Sequence, residues 1–167
     1  MEVEISALLP EDIDGVAAVH VQAWQAAYPG IMSDEFLGNL STEMAADYWR
    51  HVAWRRDGNA FVARCDGHIA GFTAVGEHRK PGTDAGELHG LNVAPEYWGT
   101  GVATELLHRA ERRLLQLGFS DVVLYVASEN DRGRRFYERE GWTDDGVDEV
   151  EDLGGRPVEE RRYSRRL

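Results

Sequence analysis

One stretch, Leu91-Asn92-Val93-Ala94-Pro95-Glu96-Tyr97-Trp98-Gly99-Thr100-Gly101-Val102-Ala103, constrains the fold more than any other part of the chain. An apolar run closes at Val93, and Pro95 stops it from continuing as a central strand. Gly99 and Gly101 then precede a long amphipathic pattern, with Ala103, Leu106, Leu107, Ala110, Leu114 and Leu117 on one face. The order is strand, glycine turn, helix. The first amides of a helix have no internal acceptor, and the helix dipole adds partial positive charge there. Glycine lets that backbone approach a ligand without a Cβ in the way. The arrangement suits a pyrophosphate; a plain tight turn is the alternative.

The bulk properties narrow the class. A chain of 167 residues fits one domain with a core large enough to fold without staples. With 43% hydrophobic and 29% charged residues, it reads as globular rather than disordered. Its single cysteine, Cys65, excludes a disulfide framework and reads as a small buried hydrophobe in a strand. The six histidines show no metal-ligand spacing, so no metal is expected. A net charge of −12 argues against a nucleic-acid surface; it would favour approach of a cationic partner such as an amine, with solubility alone as the alternative reading. No membrane span or leader pattern is visible, and the cytoplasm is the expected compartment.

Along the chain, Val3 to Leu9 reads as a strand. Pro10-Glu11-Asp12 opens a helix carrying Ile13, Val16, Ala17, His20, Ala23, Trp24 and Ala27 at helical spacing, and Pro29-Gly30 ends it. Ser33 to Asn39 is a short helix, and Thr42 to Arg56 another, with Met44, Ala45, Tyr48, Trp49 and Val52 as its apolar side. Asp57-Gly58-Asn59 is a turn. A hairpin turns at Asp66-Gly67, followed by strands over Glu87 to Val93 and Val122 to Val126. A short helix spans Asn130 to Glu140, and two last strands flank Gly154-Gly155. This order predicts an α/β (α+β) fold of one domain, residues 1–167: a mixed, mostly antiparallel sheet of about six to seven strands with about four helices.

Two segments in this order, Trp98-Gly99-Thr100-Gly101-Val102-Ala103 and Asn130 through Phe136-Tyr137 to Gly141-Trp142, resemble the GCN5-related N-acetyltransferase (GNAT) superfamily. Trp98 departs from the family's usual Gln or Arg, while Gly101 and Ala103 match its small residues. A dinucleotide-binding fingerprint fits worse, because position 104 is Thr and the glycines follow a fourth strand rather than the first.

The resemblance implies acetyl-CoA as cosubstrate, transfer to a primary amine of a small molecule or peptide, and a homodimer. It implies that Leu91, Asn92 and Val93 pair with the pantetheine arm, that amides from Trp98 through Gly99, Thr100, Gly101, Val102 and Ala103 to Thr104 cradle the pyrophosphate, and that Val93 N–H receives the developing oxyanion. Asn130 matches a pantetheine contact, or is simply a helix cap, and Phe136 belongs to the same cofactor set. Tyr137 matches the general acid, a phenol ordinarily protonated at neutral pH, with an aromatic packing pair as the alternative. Glu87 and His89 both match positions of the family's base, and the choice stays open. Trp24 and Tyr28, four apart on one helix face, are candidates for the acceptor pocket or for core. Arg132 or Arg134 is a candidate for contact with a CoA phosphate, with solvated helix charge as the equal alternative. A non-catalytic acyl-CoA-binding module and a transferase of longer acyl groups are the rival readings.

Overall fold

A computed structural model describes residues 1–53 and 58–167. The chain runs β1 (Val3–Ala7), α1 (Ile13–Ala27), α2 (Asp34–Asn39), α3 (Thr42–Ala53), β2 (Ala60–Cys65), β3 (His68–Glu77), β4 (Gly86–Val93), α4 (Val102–Gln116), β5 (Asp121–Ala127), α5 (Asp131–Arg139), β6 (Thr143–Leu153) and β7 (Arg156–Arg166). Among the described residues there are five α-helices, against the expected about four. The expected end of the third helix at Arg56, and Asp57 of the following turn, lie outside the described residues.

Local chemistry sets these boundaries. The Pro10–Asp12 turn leads into α1; Asp12 accepts from Leu9 N–H at 2.9 Å and pairs with Arg64. Ser33 caps α2 by accepting from Phe36 N–H at 3.2 Å. The β2–β3 hairpin turns through Asp66 and Gly67, both at positive φ, as an Asp-Gly turn requires. One sheet contains all seven strands in the order β1-β2-β3-β4-β5-β7-β6, antiparallel except for β4 with β5.

Two apolar layers cover the sheet. On one face Val16, Ala17 and Val19 of α1 and Ala46 and Trp49 of α3 pack on Val62 and Phe72. On the other, Leu106, Leu107, Ala110 and Leu114 of α4 are wholly buried, and Tyr137 of α5 joins the same side. Three expected apolar positions turn outward: Met44 is 67% exposed, Tyr48 51% and Leu117 37%. Leu117 is the C-cap of α4, past its last full turn. Tyr48 borders a cleft instead of the core.

Candidate active site

The cleft originates in the sheet. β4 and β5 are paired only through Gly86–Leu88 and Val122–Leu124, and beyond those residues they separate. The space between them opens into a cleft of about 960 Å³ that runs from α1 to the start of α4.

A bulge in β4 decides which groups face this gap. Ala74 pairs with Gly90 while Val75 pairs with Leu88, so His89 is the extra residue. The bulge resets the alternation: Leu88, Leu91 and Val93 all pack toward α4. Ala94 N–H donates to the Ala70 carbonyl at 2.8 Å, which makes 94 and 70 a hydrogen-bonded pair. In an antiparallel ladder such pairs alternate with pairs whose amides and carbonyls point away. The backbone of Leu91 and Val93 therefore faces the gap. Asn92, expected to share that edge, has its amide and carbonyl turned toward β3.

The turn after β4 is held by Trp98, whose indole N–H donates to the Val93 carbonyl at 2.8 Å. Gly99 and Gly101 have φ of 77° and 95°. Gly101 is the N-cap of α4, and Glu105 N–H donates to its carbonyl at 3.1 Å to close the first helical ring. The amides of Val102, Ala103 and Thr104 lie ahead of that ring and point out of the helix end. The Thr100 hydroxyl donates to the Tyr97 carbonyl at 2.6 Å, and the Thr104 hydroxyl to Glu140 at 3.0 Å. The Arg132 guanidinium stacks on the Trp98 ring at 3.3 Å, bringing a positive charge to the same corner. Arg134 turns elsewhere, to Tyr163 and the Ser128 carbonyl. An extended ligand ending in a diphosphate fits this edge and cradle.

Asn130 caps α5, accepting from Gly133 N–H at 3.0 Å, and also borders the cleft. Phe136 stands edge-on to Tyr137 at 5.1 Å. Tyr137 does pack among Trp142 and Tyr163, and it also lines the cleft where β4 and β5 divide. Burial, with Tyr28 nearby, pushes its hydroxyl well above the ordinary phenol range assumed from sequence. Tyr28 itself is pushed up to about 12, chiefly by burial and then by Glu160.

At the other end, Trp24 packs edge-on to His20 at 4.6 Å and to Tyr28 at 5.6 Å. His20 Nδ1 accepts from the Trp49 indole at 3.1 Å, and burial lowers its pKa to about 4, so it is a neutral packing partner of Trp24 and Trp49. Glu87 and His89 are together: His89 Nδ1 is 3.5 Å from Glu87 Oε1. Glu87 is fully buried and accepts from Arg79 twice, from its Nε at 2.7 Å and its backbone N–H at 2.8 Å. Burial alone would raise the Glu87 pKa, but the hydrogen bonds from His89 and Arg79 outweigh it and hold it at about 2. A carboxylate so stabilised is a weak base.

Sequence reasoning missed Arg79, Glu151 and Glu160. Arg79 stacks on the Tyr125 ring at 4.2 Å, donates to Glu151 at 2.8 Å and approaches Glu160 at 3.6 Å. The one available signal was strand alternation: Glu160 shares the inward face of β7 with buried Val158. The β6–β7 hairpin is seated over this end by the Phe36 ring of α2, which occupies the place a Cβ on Gly154 would need.

A family model described as the acetyltransferase (GNAT) family matches residues 23–142. An uncharacterized N-acetyltransferase of Bacillus subtilis, YuaI, is 32% identical over 123 residues, covering 72% of this chain and 69% of the relative. A spermidine N(1)-acetyltransferase of Thermoplasma acidophilum is 27% identical over 98% of this chain and 99% of its own length. The crystal structure of the PaiA N-acetyltransferase of Thermoplasma acidophilum in complex with coenzyme A superposes over the full length of both chains, with a TM-score of 0.77 at 26% identity.

Proposed function

The chain belongs to the GNAT acetyltransferase family, and from that premise we propose that it transfers the acetyl group of acetyl-CoA to the primary amine of a small molecule by direct attack. The observation that carries this reading is the division of β4 from β5 beside the amide cradle, with Tyr137 at the fork. The spermidine acetyltransferase relative supports a small amine as acceptor.

When bound, acetyl-CoA supplies the thioester carbonyl. Leu91 and Val93 offer it a strand edge, and the amides of Gly101 to Thr104 hold its diphosphate, aided by Arg132. Val93 N–H donates to the carbonyl oxygen as negative charge develops there. His89 takes the amine proton. Glu87 orients it; its own low basicity, set by Arg79, suits it to positioning rather than to proton transfer. Tyr137, kept protonated by burial, donates a hydrogen bond to the departing sulfur.

The test is acetyl-CoA turnover, followed as free thiol, across a panel of amines with Tyr137→Phe beside it. Amine-dependent thiol release is expected, and the variant lowers kcat roughly 100-fold, within the range for a lost acid–base partner, while acetyl-CoA affinity holds. Acetyl-CoA binding without amine-dependent release would favour the non-catalytic module, and an unchanged kcat would remove Tyr137 from its role.

A further inference from the structure

The acceptor end of the cleft carries more negative charge than its own cation balances. Glu87, Glu151 and Glu160 converge on one guanidinium, that of Arg79. Glu87 takes Nε and the backbone N–H, and Glu151 takes Nη1 at 2.8 Å. Glu160 is left with what remains. Its Oε1 lies 3.6 Å from Arg79 Nη1, and that oxygen is buried with no hydrogen-bond partner among the described residues. A buried carboxylate oxygen left without a donor is costly, so structures rarely keep one unless something else fills the place.

Position says what would fill it. Glu160 stands on β7 opposite Ala127, at the last rung of β5. Its side chain lines the cleft and is 12% exposed. Tyr28 packs against Ala127 and Val158 and lines the same cleft as Glu160 and Tyr137. A carboxylate and an aromatic ring together suit an alkylammonium, whose charge pairs with the oxygen and whose methylenes lie along the ring.

We propose that Glu160, backed by Glu151, binds a second positive charge on the acceptor, so that the preferred substrate is a linear aliphatic diamine or longer polyamine rather than a monoamine. This rests on the acetyl-transfer reading of the cleft. It adds a distal ammonium subsite to that reading and makes Glu160 the residue that sets specificity.

The electrostatics give the subsite a pH signature. Burial pushes Glu160 up to about 7; Arg79 opposes the rise, and Glu151 and Glu87 add to it. Below that value the carboxyl is neutral and pairs poorly with a cation. Above it the carboxylate is formed, so diamine selectivity grows as pH rises through about 7.

The experiment compares kcat/KM for tetramethylenediamine and n-butylamine in the wild type and in Glu160→Gln. The wild type should prefer the diamine by roughly 10- to 100-fold, the span expected of a hydrogen bond to a charged group, and Glu160→Gln should bring the ratio near unity. A wild type without preference, or a preference that survives the substitution, overturns the proposal. If Glu160→Gln fails to fold, the wild-type ratio measured from pH 6 to pH 8 decides: a rise supports the subsite and a flat profile overturns it. Calorimetric binding of tetramethylenediamine to both proteins judges the subsite even if no amine is acetylated. Binding lost in the variant upholds it while acetyl transfer fails, and equal binding in both refutes it.

Discussion

At the α4 end of the cleft the binding surface is main chain; at the β6–β7 end it is side chain. The first is built from the amides of Leu91, Val93 and the opening turn of α4, with the Arg132 charge stacked on Trp98 beside it. The second is built from Trp24, Tyr28, Arg79, His89, Glu151 and Glu160, drawn from α1 and its exit, the β3–β4 connection, β4, β6 and β7. Main-chain recognition tolerates side-chain change provided the backbone path survives, which is why Trp98 can replace a polar residue and still hold the turn through its indole. Side-chain recognition depends on each group separately. The β6–β7 end, the proposed acceptor end, is therefore where members of one fold can come to differ in substrate.

This contrast can be broken or sharpened. Arg79→Met should have the largest effect. It strands Glu87, buried and ionised, and should cost about 3 kcal/mol of folding stability, the low end for breaking a buried pair because the guanidinium is partly exposed. Denaturant unfolding would measure it, and a cost near zero would show that Glu87 does not need its cation. Gly101→Val comes next. A β-branched residue at φ 95° is strained and puts a Cβ in front of the cradle, so acetyl-CoA should bind roughly 30-fold more weakly while the acceptor KM holds. An equal loss in both constants would mean that the two ends are one site. Trp24→Ala should be smallest, raising the acceptor KM roughly 3-fold through a lost aromatic wall, with acetyl-CoA affinity intact. An unchanged acceptor KM would assign Trp24 to packing alone.

The same contrast explains what could be read from sequence. The strands and helices are carried by local periodicity and punctuation, such as Ser33 ahead of α2 and Asp66-Gly67 in the hairpin, and these formed where expected. The cofactor end is a contiguous motif because backbone binding needs glycines at fixed places. The acceptor end has no such signature. Glu87 reads as a free base until Arg79, eight residues upstream across a loop, is seen to hold it. The bulge at His89 was equally silent, since period-2 counting puts Glu87 and His89 on one face with or without it. Its effect shows only downstream, where Leu91 and Val93 change sides.

The parting of β4 from β5 leaves the sheet with an edge in its interior. Along that edge neighbouring residues of one strand should live in different solvents. Asn92 and Ala94 donate into β3 and should resist deuterium for as long as the sheet stays folded. Leu91 and Val93 donate into the gap, where water meets them until a ligand does. In the free protein the amides from Leu91 to Ala94 should alternate fast and slow, residue by residue, and acetyl-CoA should erase the alternation by slowing only those of Leu91 and Val93.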